Sequence, residues 1–147
     1  MSGRAERLHR LLAVRRLSED LDRRSLQVAL AAVAEVEAAI ASQETALRES
    51  KLALRSALSD GDRGEWLLAD AQIEVAGWNL GRLKTLLCER ADAVTAAMQS
   101  FLNSRLEHEQ VKQLVGDAKE ETRRDDDRRA QAAAADWFMS RRTRPTN

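Results

Sequence analysis

The sequence has few of the residues on which active sites and thick cores depend. Among 147 residues it holds one cysteine, Cys88, two histidines, one proline and no tyrosine, and aromatic residues make up 3%. One cysteine cannot form an internal disulfide, and the clustered Cys and His ligands of a structural zinc site are missing. There is also no Gly-rich phosphate loop and no Ser/His/Asp set. We therefore expect a protein that is not an enzyme and has no cofactor and no metal.

The chain also lacks an excess of either charge. Lys+Arg and Asp+Glu number 24 each, whereas phosphate contacts require a surplus of positive charge, so no nucleic-acid partner is expected. The first ten residues, MSGRAERLHR, lead to no apolar signal-peptide region, and no uninterrupted apolar run approaches the roughly 18 residues that span a bilayer. We predict a cytoplasmic protein without direct membrane insertion.

What the sequence does have is the composition of long helices. Charged residues make up 33% and hydrophobic residues 44%, and alanine is prominent among the latter. From Leu26 onward, apolar residues recur every seven positions, as in a coiled coil. The a positions of this first stripe are Leu26, Val33, Ile40, Leu47 and Leu54, and its d positions are Ala29, Val36, Gln43, Ser50 and Ala57.

Toward the N-terminus the apolar residues follow a different spacing, as a stutter in the heptads produces. This second series consists of Val14, Leu17, Leu21 and Val28. Helix one is thus predicted at about residues 4–58. A turn at residues 59–64 follows, and Asp62 with Glu65 three residues later fits an N-cap and its reciprocal partner. Helix two is predicted at about residues 65–142, with a start as early as Arg63 or Gly64.

Helix two carries a matching stripe, which Arg90, Ser104 and His108 interrupt. A turn near Gly61 pairs residues whose numbers sum to about 123, so that Ile40 meets Leu83, and most layers then join a large residue to a small one. A parallel dimer would not place large residues opposite small ones in this way. The a positions are Ile73, Leu80, Leu87, Val94, Phe101, His108 and Val115, and the d positions are Ala69, Ala76, Leu83, Arg90, Ala97, Ser104 and Val111.

These patterns predict one all-α domain over residues 1–147. It consists of two long helices in an antiparallel coiled-coil hairpin, and the charge-rich chain after Gly116 overhangs as a single solvated helix that Pro145 ends. His108 lacks further ligands and is interpreted as a packed or solvated side chain. The run Asp125 to Asp127 is flanked by arginines and is interpreted as solvated charge.

Two features favour partner binding. Trp78 falls at the outward f position, and Leu68 and Val75 lie nearby at c positions, which indicates a surface near the tip of the hairpin. The alternative is that Gly77 and Gly81 loosen the helix and let Trp78 pack back onto it.

The second feature is the end of the tail, where aromatic and basic residues follow an alanine run. A frayed tail with adventitious aromatics is the alternative. Arginines at the start of helix one are predicted to lie at the same open end. The predicted docking residues are Trp137, Phe138, Arg141, Arg142, Arg144, Arg4 and Arg7.

The stretch RLHRLLAVRRLSEDLDRRSLQVALAAVAEVEAAI and the tail EETRRDDDRRAQAAAADWFMSRR resemble the two ends of the FliJ/YscO family, the central stalk of the bacterial type III export ATPase. The resemblance implies a stalk whose open end inserts into the ATPase hexamer, while the coiled coil contacts the membrane export gate and escorts export chaperones. The alternative is a coiled-coil chaperone or scaffold unrelated to an ATPase. Whether the system is flagellar or an injectisome stays open.

Overall fold

The computed structural model describes residues 2–143 and contains two helices. Helix α1 spans Ser2–Asp60, helix α2 spans Arg63–Arg142, and the two pack against each other. Between residues 2 and 143 there is no strand. The all-α fold class predicted from the sequence is confirmed. Both helices begin two residues before their predicted starts, and α1 also ends two residues beyond its predicted limit.

A tight turn separates the helices. Gly61 adopts a left-handed φ of 72°, and the Asp62 amide donates a hydrogen bond to the Ala57 carbonyl at 3.1 Å, which is a Schellman motif. The Asp62 carboxylate then accepts a hydrogen bond from the Glu65 amide at 3.2 Å, as an N-cap does. The predicted N-cap is present. Its reciprocal bond is replaced, because the Asp62 amide is already bonded to Ala57.

The chain forms two compact units. One is Leu21–Leu102, and the other combines the chain up to Asp20 with the chain from Asn103 onward. The prediction of one domain over residues 1–147 stays a prediction.

The unit Leu21–Leu102 has a thin core made from predicted stripe positions. Val33, Ile40 and Leu83 are half-buried, and no large side chain among residues 2–143 is completely buried. Arg90, which interrupts the predicted stripe, is exposed. A core this thin depends on many small contributions spread along the helices. The buried apolar residues of this unit are Leu26, Val36, Ala57, Ala69, Ala76 and Leu80.

The other unit buries polar side chains together with apolar ones. Val111 and Val115 of α2 are buried, Leu8 and Leu12 of α1 are half-buried, and Glu19 is only 8% exposed. A buried carboxylate needs a partner. The Glu19 carboxylate accepts a hydrogen bond from His108 of α2 across this part of the seam.

The predicted stutter before Leu26 is wrong. Val14 and Leu17 are each 60% exposed, and in the other unit Leu21 and Val28 are exposed as well. Counting back from Leu26 by sevens gives Glu19, which is buried, so the heptad spacing is unchanged. The prediction failed because it followed hydrophobicity, whereas the structure buries Glu19, whose carboxylate is hydrogen-bonded to His108.

Helix α2 continues as an exposed helix toward its end. Every described residue after Asp125 is exposed, and the helix extends to Arg142. Arg144 and Pro145, to which the sequence assigned a docking role and the helix stop, lie outside the described residues.

Helix α1 contains one 18-residue window with a mean hydropathy of 1.4. By length and composition alone, α1 could therefore cross a membrane, although its sequence has no uninterrupted apolar run of that length. A single such helix is weak evidence, since core helices of soluble proteins meet the same criterion. The prediction of a cytoplasmic protein without direct membrane insertion stays a prediction.

Candidate functional site

The end of α2 presents an exposed aromatic and basic cluster, which we call the tail cluster and define as Trp137, Phe138 and Arg141. The two rings meet edge to face with their centroids 5.5 Å apart, and the Arg141 guanidinium carbon lies 4.5 Å from the centre of the Trp137 ring. Both rings stay exposed, Phe138 by 69%. Arg142 is exposed beside the cluster in the last turn.

The sequence before the tail cluster explains why it sits on a helix. Residues 130–135 contain five alanines and one glutamine, all strong helix formers. Ion pairs precede them. Glu120 contacts Arg124 at 3.4 Å and Arg123 at 3.5 Å, and Asp125 contacts Arg128 at 3.6 Å. Pairs at these spacings stabilise a solvated helix without a tertiary partner.

The cluster combines three means of recognition. Two rings offer apolar area at low entropic cost, and stacking of Arg141 on Trp137 holds one ring with a cation beside it. Such residues are typical of energetic centres in protein interfaces. Its three side chains, an indole, a phenyl ring and a guanidinium, bind by stacking, apolar contact and hydrogen bonding.

The N-terminal arginines do not join the tail cluster. Arg4 lies 4.0 Å from Glu121, and the Arg7 Nε donates a hydrogen bond to the Gly3 carbonyl at 3.0 Å. Glu121 precedes Trp137 by sixteen residues of continuous helix, which corresponds to about 24 Å. From the sequence we predicted one combined docking end. In the structure, Arg4 lies beside Glu121, about 24 Å along α2 from the tail cluster.

The second predicted surface lies on α2 in the unit Leu21–Leu102. Leu68, Val75 and Trp78 are all exposed, Trp78 by 66%. Their spacing of seven and three residues puts them on one side of the helix. The Arg82 guanidinium carbon is 5.1 Å from the centre of the Trp78 ring. Helix α2 passes through Gly77 and Gly81 without a break.

Sequence reasoning missed a polar cluster in the unit that contains both chain ends. The Arg15 Nη1 donates to Glu107 Oε2 at 2.6 Å, and His108 Nδ1 donates to Glu19 Oε2 one helical turn away. The Arg15 Nε is buried and has no hydrogen-bond partner within the described part of the chain. We call Arg15, Glu19, Glu107 and His108 the polar seam cluster. His108 at an a position was the available sequence signal.

For the polar seam cluster to hold a metal, its side chains would need the spacing that metal ligands require. In residues 2–143 no three His, Cys, Asp or Glu side chains are close enough together to hold an ion. Arg15 pairs with Glu107, and His108 is hydrogen-bonded to Glu19, so the four side chains form two separate polar pairs across the seam.

Comparison with protein-family models, with curated proteins and with solved structures finds no match to this chain. The FliJ/YscO resemblance stays a prediction that rests on the sequence.

Proposed function

We propose that this chain is a non-enzymatic stalk protein of a bacterial type III export apparatus. Its open end inserts into the export ATPase hexamer, and its coiled coil links that ring to the membrane export gate and to export chaperones. The protein is held in the cytoplasm, peripheral to the inner membrane, through these partners. The observation that carries the proposal is the tail cluster, an aromatic and basic group exposed at the end of a long exposed helix.

A stalk of this kind requires the two helices to form an antiparallel hairpin. Contacts inside one unit support that arrangement, because residues later on α1 meet residues earlier on α2. Arg4 lies beside Glu121, whereas Arg15 lies beside Glu107. In the other unit, the Arg23 guanidinium carbon lies over the Phe101 ring, 5.7 Å from its centre. The turn at Gly61 joins the helices without a long connection.

The proposal also needs the end of α2 to reach beyond α1. Continuous exposure after Asp125 supports an overhanging helix, and Arg4 near the start of α1 is opposite Glu121 rather than a later residue. The tail cluster then lies where a ring subunit could reach it from the side. Arg141 and Arg142 would accelerate the encounter, and the two rings would slow dissociation once buried.

A coiled-coil chaperone or scaffold unrelated to an ATPase is the second candidate. The exposed side chains Leu68, Val75 and Trp78 favour it, since they offer a surface for a client or gate far along the chain from the tail cluster. In the stalk proposal the same surface faces the export gate. The two candidates differ in whether an ATPase ring recognises the tail.

The test measures binding and stimulation of a type III export ATPase by the wild-type chain and by four variants. Deletion of residues 136–147 should abolish most of the binding, while Trp78→Ala, the matched aromatic control, should leave ATPase binding unchanged. Trp137→Ala should speed dissociation at any ionic strength, whereas Arg141→Glu with Arg142→Glu should slow association mainly at low salt. Full stimulation by the truncated chain would remove the stalk proposal in favour of the scaffold.

A further inference from the structure

A third exposed face, on α1, combines apolar and basic residues at coiled-coil spacing. It consists of Arg7, Arg10, Leu11, Val14 and Leu17, all of them exposed, and we call it the basic apolar face. At about 100° per residue these five side chains lie within an arc of about 120°. The half-buried residues Leu8, Leu12 and Arg15 lie on the other side of the helix.

The apolar residues of this face are not buried by other residues of the unit. Buried Glu19 and half-buried Leu12 continue the heptad seam toward α2, while Val14 and Leu17 point away from it and remain 60% exposed. A solvated helix face is normally polar, so apolar residues with intervals of three and four indicate packing against another helix. In sequence the same spacing continues to Leu21 and Val28, which are exposed in the other unit.

The charges on the basic apolar face indicate what kind of helix fits. Within the described chain, no carboxylate forms an ion pair with Arg7 or Arg10; the Arg7 Nε bonds only to the Gly3 carbonyl. A partner with glutamate or aspartate beside an apolar stripe would pair with these guanidinium groups and cover Val14 and Leu17 together. A second copy of this face would instead add more arginines.

We infer that the basic apolar face binds an amphipathic helix of another protein, one with leucine or isoleucine at intervals of three and four and acidic residues on its flanks. The bound helix would pack against α1 as the third helix of a coiled coil in this unit. The inference does not depend on the export ATPase, because the tail cluster and the Trp78 surface take no part in it.

The probe is a three-heptad synthetic peptide with leucine at positions a and d and glutamate at e and g. Repulsion among its glutamates keeps the free peptide unfolded and monomeric at neutral pH, so a gain in helicity reports binding. The full chain should induce that gain. Val14→Ser with Leu17→Ser should weaken the affinity at least about tenfold, because each buried apolar side chain contributes about that much. A peptide with lysine in place of glutamate should bind at least about tenfold more weakly.

Leu52→Ser with Leu58→Ser is the matched control, since both leucines are exposed on α1 outside this face. This pair should leave the affinity unchanged. Arg10→Glu should reverse the preference between the two peptides, and it tests the inference if the serine variant folds poorly.

Three results would overturn the inference. One is equal binding of the glutamate peptide by the wild type and the serine variant. Another is a dimer in sedimentation that the serine variant converts to a monomer, since a second copy would then cover the face. The third is binding to phosphatidylserine vesicles without binding to the peptide.

Discussion

At the scale of single residues, the pair of buried Glu19 and half-buried His108 is the main departure from an apolar coiled coil. Glu19 is as buried as Leu26, yet it can stay there because the His108 Nδ1 donates to its carboxylate. Removing one partner from such a pair costs the other group a hydrogen bond in a partly desolvated site, whereas removing both leaves an apolar seam. A polar pair in a seam is also a known means of fixing register.

We predict that Glu19→Leu and His108→Leu, made singly, each lower the free energy of unfolding by about 1–3 kcal/mol. The double variant should be close to the wild type or more stable, because an apolar pair of similar size replaces a partly desolvated polar pair. Urea denaturation followed by circular dichroism measures all three. A loss in the double variant equal to the sum of the two single losses would mean that the contact carries no coupling.

Glu120→Ala is the control for this cycle. Its two arginine contacts are exposed pairs on one helix, so its loss should change the free energy of unfolding by no more than about 0.5 kcal/mol.

At the scale of the helices, two glycines with opposite roles test how the turn is built. Gly61 has a φ of 72°, and apart from its chain neighbours no residue lies within 4 Å of the position that a Cβ would take. The cost of Gly61→Ala is therefore one of backbone conformation alone, about 1–2 kcal/mol. Gly116 lies inside α2 with equally open space, so Gly116→Ala should raise stability by up to about 1 kcal/mol.

Thermal unfolding of Gly61→Ala and Gly116→Ala under one set of conditions decides this prediction by the sign of the change. A stabilising effect at both glycines would mean that the turn does not need the left-handed conformation in solution.

The helices themselves were predictable from the sequence, and the exceptions have physical causes. Heptads from Leu26 onward, and the glycines and aspartates at residues 59–64, were enough to predict both helices and the turn. Before Leu26 the prediction placed Val14 and Leu17 in the seam, whereas Glu19 is buried there. Hydrophobicity cannot reveal that Glu19 has a partner 89 residues away in sequence.

The candidate sites were predictable as exposed residues, and some of their contacts were predictable as well. The heptad position of Trp78 was sufficient to expect an outward side chain, and an aromatic pair after an alanine run indicated a tail surface. The stacking of Arg141 on Trp137 follows from helical spacing of four residues, which the sequence contains. The separation of Arg4 from the tail cluster was implicit in the pairing sum of about 123, which puts Arg4 close to Glu121, but the docking prediction did not apply that sum.

At the scale of the whole molecule, the proposals depend on whether the helices run antiparallel within one chain. With Cys88→Ser in place, Ile40→Cys and Leu83→Cys should form a disulfide inside single chains at high dilution. Both side chains are half-buried in the same unit, and their numbers sum to the 123 expected for a turn near Gly61. A disulfide needs Cβ atoms about 3.5–4.5 Å apart, so the bond reports register as well as direction.

The control keeps Ile40→Cys and moves the second cysteine to Val94, which is eleven residues, or about 16 Å, further along α2. This pair should stay reduced under the same oxidation. Non-reducing gels and the mass of the oxidised product distinguish bonds within a chain from bonds between chains. Disulfides that form only between chains would favour a parallel dimer, and the stalk proposal would then lose the hairpin from which its tail is meant to project.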